Sequence, residues 1–200
     1  MTSRDTILSA IRARKLRDAK RPAAYVAPQL TDPVERFARE AASEHAEVRI
    51  LDSEADIPEA VADILRAKNL PASIHIPDGH GYDDVVWGHV AVSHGPPGPD
   101  DAALARADYA IAETGTLAYL AAPEAPASWH YRPGLEIAVV KAGTIVPHLE
   151  NVLARARANL PHTVNLVTGP SRTGDIEQTL ELGAHGPKAL AVLIVKPPSP

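Results

Sequence analysis

A chain of 200 residues with no cysteine, a formal charge of −5 and a pI near 6.0 excludes several protein classes at once. On its own it can build neither disulfides nor thiolate-held zinc or iron–sulfur clusters, and its acidic balance argues against a general nucleic-acid binder. The length fits one domain burying roughly 70% of the surface its unfolded chain exposes. With no apolar run near the roughly 18 residues of a membrane span and no signal-peptide core, a cytoplasmic location is expected.

In chain order, Ile7, Leu8, Ile11 and Leu16 at helical spacing predict an amphipathic helix over 3–20, basic toward its end, and "KRPAAYVAPQL" reads as a linker. "TDPVERFAREAASEHA" predicts a second helix with Asp32 as N-cap and Pro33 at N1. "EVRIL", the helix "PEAVADILRAKNL" and "SIHI" give a β-α-β rhythm, the pattern of a parallel sheet. A dense run of turn signals follows, with a possible strand near Val90–Val92. Beyond Arg106, "DYAIA" and "TLAYLAA" read as two buried strands broken by "ETG", and "EIAVV" as another. "TIVPHLENVLARARANL" reads as a helix with Val152, Leu153, Ala156 and Leu160 inward, before the strands "HTVNLVT" and "ALAVLIV" and a frayed "PPSP" tail. Short aliphatic strands favour a sheet covered on both faces, and with 4% aromatic residues the core must be mostly aliphatic.

Two stretches concentrate the residue types of a binding site. In "VTGPSRTGDIEQTLELGAHGP", Gly169 ends a strand, and Asp175 with Gln178 fits a capping box opening a short helix that Gly183 stops. Ser171, Arg172 and that helix start would then lie beyond the carboxyl end of a parallel strand, a favoured place for an anion. Alternatively Asp175 only caps and Arg172 only neutralises Asp175 or Glu177. In "AETGTLA", Gly115 between Thr114 and Thr116 makes either an anion nest or a strand bulge, with Glu113 a candidate base or nucleophile. His185 is a further candidate through its fold-back toward Arg172. "DGHGYDD", with Asp78, His80, Asp83 and Asp84, lacks helical metal spacing and reads as a solvated turn. Trp129 and His130 near Arg132 either line a pocket or sit on a surface loop.

"ADYAIAETGTLAYL", "EIAVV" and "VNLVTGPSRTGDIEQTLELGAHGPKALAVLIV" together resemble the lactate-utilization protein C family, the stand-alone LUD-domain proteins. The likeness covers the C-terminal half, and "GPSRT-x-DIE" followed by "G-x-HGP" is its most specific part. It implies a Rossmann-like α/β fold, mostly parallel with flanking helices, similar to the sugar-phosphate isomerase and CoA-transferase superfamily. On that basis residues 1–22 form a basic helix and linker, 23–196 one LUD-type domain and 197–200 a tail. The resemblance also implies a part in oxidising L-lactate to pyruvate, as a subunit without its own cofactor that works beside cysteine-rich and iron–sulfur partners. It binds a small anion or docks a partner through Thr114, Gly115, Thr116, Gly169, Ser171, Arg172, Asp175, Glu177 and His185. The alternative is a stand-alone acyl- or phosphate-ester enzyme using Glu113. One departure stands out: Glu136 occupies the place where many family members carry a histidine, and whether Trp129, His130 or Arg132 compensates is open.

Overall fold

The computed structural model describes residues 2–14, 23, 26–123, 126, 128–174, 180–182 and 186–197. Its centre is a six-stranded sheet in the order β1 (Glu47–Leu51), β12 (Ala189–Val195), β7 (Leu135–Lys141), β4 (Ala102–Arg106), β2 (Ser73–His75), β3 (Ala91–Ser93), and every neighbouring pair is parallel. Parallel strands need both faces covered, and successive side chains here are buried on opposite sides. Leu104, Ile137 and Leu193 face α3 (Ile57–Ala67), whose Ile57, Val61, Ile64 and Leu65 complete one core. Ala105, Ala138, Val192 and Ile194 face the other way, toward Phe37 and Ala41 of α2 (Pro33–Ser43).

That second face is covered by a second sheet as well as a helix. β5 (Tyr109–Ile111) and β6 (Thr116–Leu120) form an antiparallel hairpin, flanked by β8 (Ile145–Val146) and β9 (Val164–Thr168) in the order β8–β5–β6–β9. Alanines at 105, 107, 110, 112 and 138 line the junction, so two layers approach closely where larger side chains would hold them apart. This explains how a chain so poor in aromatics still packs a core.

The sequence expectations hold for α2, capped by Asp32 through the Glu35 amide at 3.0 Å, and for β1, α3, β2, β7, β9 and β12. Several others are corrected. The first helix, α1 (Ser3–Ala13), buries no residue, and residues 15–22 lie outside the described set. The helix expected from Thr144 starts at Leu149 (α5, Leu149–Ala156). Pro147 disfavours helical backbone in the residue before it, and the β-branched pair Ile145–Val146 joins the small sheet instead. Val152 and Ala156 are buried as expected, but Leu153 and Leu160 are exposed. β9 pairs antiparallel with β6, so Gly169 does not end a parallel strand. Of the helix expected up to Gly183, residues 175–179 and Gly183 lie outside the described residues, and Leu180–Leu182 form a strand (β11) that pairs antiparallel with β10 (Arg172–Gly174).

Candidate functional site

The structure brings the two glycine stretches together. Thr116 pairs with Thr168 across β6 and β9, and the hydroxyls of Thr114, Thr116 and Thr168 form a chain with both contacts at 2.7 Å. Gly115 and Gly169 both have positive φ and both press on the carboxyl end of α2, where a side chain would overlap Ala41 and Glu40 or the Glu44 carbonyl. Packing accounts for these glycines, and a helix carboxyl end with no basic residue in its last turn repels anions. Ser171 and Arg172 lie beside them in a cleft of about 320 Å³ that also touches Glu44, His45 and Tyr131. Arg172 is exposed, and the Ser171 amide donates to the Pro187 carbonyl at 2.9 Å. Asp175, Glu177 and His185 lie outside the described residues.

Glu113 is 49% exposed and bonds locally. His148, just before α5, donates from Nδ1 to Glu113 Oε2 at 2.9 Å and from Nε2 to the Pro28 carbonyl at 2.7 Å. Both partners are acceptors, so the ring must carry both protons to satisfy them. The Glu113 bond, then the Pro28 carbonyl, hold the His148 pKa above its ordinary value, with Glu150 adding to the effect. A group raised in the folded state stabilises fully below its unfolded pKa of about 6.5, and that contribution is lost as pH rises through the folded value. Melting temperature measured across this range should therefore fall more steeply on the alkaline side in the wild type than in His148→Gln. Parallel curves would dismiss the imidazolium.

A second, larger cavity of about 430 Å³ opens where the strand ends of the large sheet meet β6. Arg106 ends β4, Lys141 ends β7, and His80 comes from the loop after β2; Asp108, Tyr119 and His130 line the wall between them. The carboxyl ends of parallel strands are where open α/β sheets hold ligands. His80 thus belongs to a cavity wall, and Tyr82 of the same loop is buried beneath the Arg106 guanidinium, 5.1 Å from its ring centroid, so this loop is more than a solvated turn.

The short helix α4 (Ser128–Tyr131) buries Trp129 and His130. His130 stacks on Tyr119, with centroids 3.6 Å apart and planes 16° apart, and donates from Nδ1 to Glu136 Oε1 at 2.9 Å. Both partners of that bond are sealed from solvent, with side chains 2% and 0% exposed. A ring that donates through Nδ1 presents Nε2 as its basic nitrogen. Burial, reinforced by the Glu136 charge, holds the Tyr119 phenol well above its usual pKa, so it stays protonated. Burial also raises Asp108, against the opposing pull of the Leu120 amide, which donates to it at 2.7 Å, and of His80 and His130. Glu54 bridges the two rim cations, 3.5 Å from Arg106 and 3.1 Å from Lys141. One cavity therefore brings together a braced imidazole, a phenol that keeps its proton and a cationic edge. Sequence reasoning named His130 and Glu136 separately and missed Arg106, Asp108, Tyr119 and Lys141. The available signal was Glu136 itself, a carboxylate inside the apolar run "LEIAVV", which burial obliges to find a partner.

Comparison with known proteins falls on the same half of the chain. Residues 100–195 match the LUD domain model, a stretch that contains every cavity residue just named except His80. Lactate utilization protein C of Geobacillus kaustophilus is 33% identical over 98 residues, 46% of this chain and 41% of that protein. Lactate utilization protein C 1 of Bacillus mycoides is 36% identical over 101 residues, 48% of this chain and 43% of that protein. The matched stretch thus spans less than half the length of these curated relatives. A crystal structure of a DUF162-family protein from Deinococcus radiodurans shares the fold, with a TM-score of 0.61 and 22% identity over 84% of this chain and 99% of that one.

Proposed function

We infer from the match of residues 100–195 to the LUD domain and from the lactate utilization protein C relatives that the chain serves lactate utilization as a component without a redox centre of its own, and that it holds a small carboxylate in the cavity of His130 and Arg106. The observation that carries the ligand reading is the meeting of Arg106 and Lys141 with the buried His130–Glu136 pair in one cavity of about 430 Å³, a size that suits a ligand of a few heavy atoms with ordered water. Lys141 and Arg106 meet the carboxylate by releasing Glu54.

The Ser171–Arg172 edge takes the other half of the role, as the surface that docks an iron–sulfur partner. It presents an exposed cation beside a two-stranded ribbon, in a cleft that shares no lining residue with the cavity. An ester-handling enzyme built on Glu113 draws less support, because that carboxylate is half exposed and held by His148. Among the described residues no helix is long and apolar enough to cross a membrane.

A thermal-shift panel of lactate, pyruvate, phosphate esters, nucleotides and CoA tests this reading. At 100 times its dissociation constant a ligand adds about 2.7 kcal/mol, which raises the melting temperature by several degrees at roughly 2–4 °C per kcal/mol. Lactate or pyruvate is expected to shift the wild type and Arg172→Ala alike. Lys141→Met should lose the shift while melting near the wild type without ligand, since its bond to Glu54 is an exposed pair of small worth. Loss in Arg172→Ala and retention in Lys141→Met would move the site to the Ser171 cleft. Silence toward every compound would remove the ligand and leave partner docking as the role.

A further inference from the structure

We propose that the cavity is a proton-transfer site for 2-oxo monocarboxylates, in which His130, positioned by Glu136, removes a proton from the carbon beside the keto group. This rests on the carboxylate-binding reading above and adds a reaction to it.

The chemistry asks for three things in one enclosed space: a base with a fixed lone pair, an anchor for the carboxylate, and stabilisation of the oxygen on which charge collects. The His130 ring is fixed from two sides, by the Nδ1 bond to Glu136 at 2.9 Å and by the stack on Tyr119. Orienting a base through a buried carboxylate sets its tautomer and steadies the imidazolium once it accepts a proton. Arg106 and Lys141 supply positive charge for the ligand carboxylate and the keto oxygen. Tyr119 keeps its phenol proton in its buried setting and so does not compete with the imidazole as a base.

The step balances within the ligand and the ring. Nε2 takes the proton, and the C–H electron pair becomes the carbon–carbon double bond of the enolate. The former keto oxygen carries the negative charge at the cationic edge. Return of a proton from the imidazolium to carbon restores the 2-oxo acid, so no electron leaves and no oxidant is needed. In heavy water the ring proton exchanges with solvent before it returns, and the ligand acquires deuterium.

The experiment is proton NMR of pyruvate in D2O with the full chain, following the methyl signal while saturation transfer from the protein reports binding in the same tube. The expected result is deuterium incorporation faster than in a protein-free control. His130→Asn should slow it about 100-fold or more while saturation transfer persists. Glu136→Gln, at a positioning residue, should lower the maximal exchange rate about tenfold with half-saturating pyruvate unchanged, a split that a merely structural role would not produce. Saturation transfer without exchange above the control would overturn the proton-transfer site and leave carboxylate binding standing. Absence of both would overturn the two together. Exchange undiminished in His130→Asn would take the base away from His130.

Discussion

Gly169→Ala and Gly115→Ala are each expected to lower the melting temperature by on the order of 10 °C, whereas Gly88→Ala should cost only a few degrees. All three glycines have left-handed backbone, at φ +66°, +65° and +59°. Left-handed geometry alone costs a side chain about 1–2 kcal/mol, and that penalty is common to the set. The difference is space: nothing lies within 4 Å of a Cβ at Gly88, while one at Gly115 would stand 2.6 Å from the Glu40 carbonyl carbon and one at Gly169 would overlap the Glu44 carbonyl oxygen. Backbone atoms cannot swing aside, so overpacking adds about 1–3 kcal/mol to each. Melting of the three variants within 2 °C of one another would show that α2 moves away freely. The consequence reaches the cavity, because these turns seat the β6–β9 sheet on α2 and β6 carries Tyr119, the ring against which His130 stacks.

How much of this was legible in the sequence depended on whether a signal was local. α2 announced itself through Asp32, Pro33 and a helical apolar stripe, and β7 and β12 through unbroken aliphatic runs. β4 did not, because "AALAR" is mostly alanine, which favours strands poorly, and its burial between β7 and β2 is supplied by tertiary structure. "DIEQTLEL" carries good helix formers, yet Leu180–Leu182 are held by pairing with β10, an override that no local rule contains. The parallel sheet was readable from the β-α-β rhythm; the second sheet was not, since the β5–β6 hairpin, β8 and β9 come from three separate stretches. The site followed the same division. The glycine turns stood out as motifs and are explained by close packing. The cavity drew single residues from β4, β6, α4 and β7, and its only local clue was a carboxylate in an apolar strand.

Glu136→Ala is expected to cost about 3–5 kcal/mol, and the double variant Glu136→Leu with His130→Phe to be as stable as the wild type or more so. The single change removes a partner from a ring that is 2% exposed and leaves a void beside it, and neither loss can be made good by solvent. The double change removes both polar groups together, keeps an aromatic ring to stack on Tyr119, and replaces a desolvated pair with apolar contacts of similar volume. Apolar replacements of buried polar and ionic pairs are often neutral or stabilising, so stability alone gives the chain little reason to keep this hydrogen-bonded one. A urea-denaturation cycle over the wild type, the two single variants and the double variant measures the coupling directly. A stable double variant that still binds pyruvate but no longer exchanges its protons would show that the pair is held for chemistry. If the double variant is instead no more stable than Glu136→Ala, the pair is a structural element of the core, and its place in the cavity wall follows from packing.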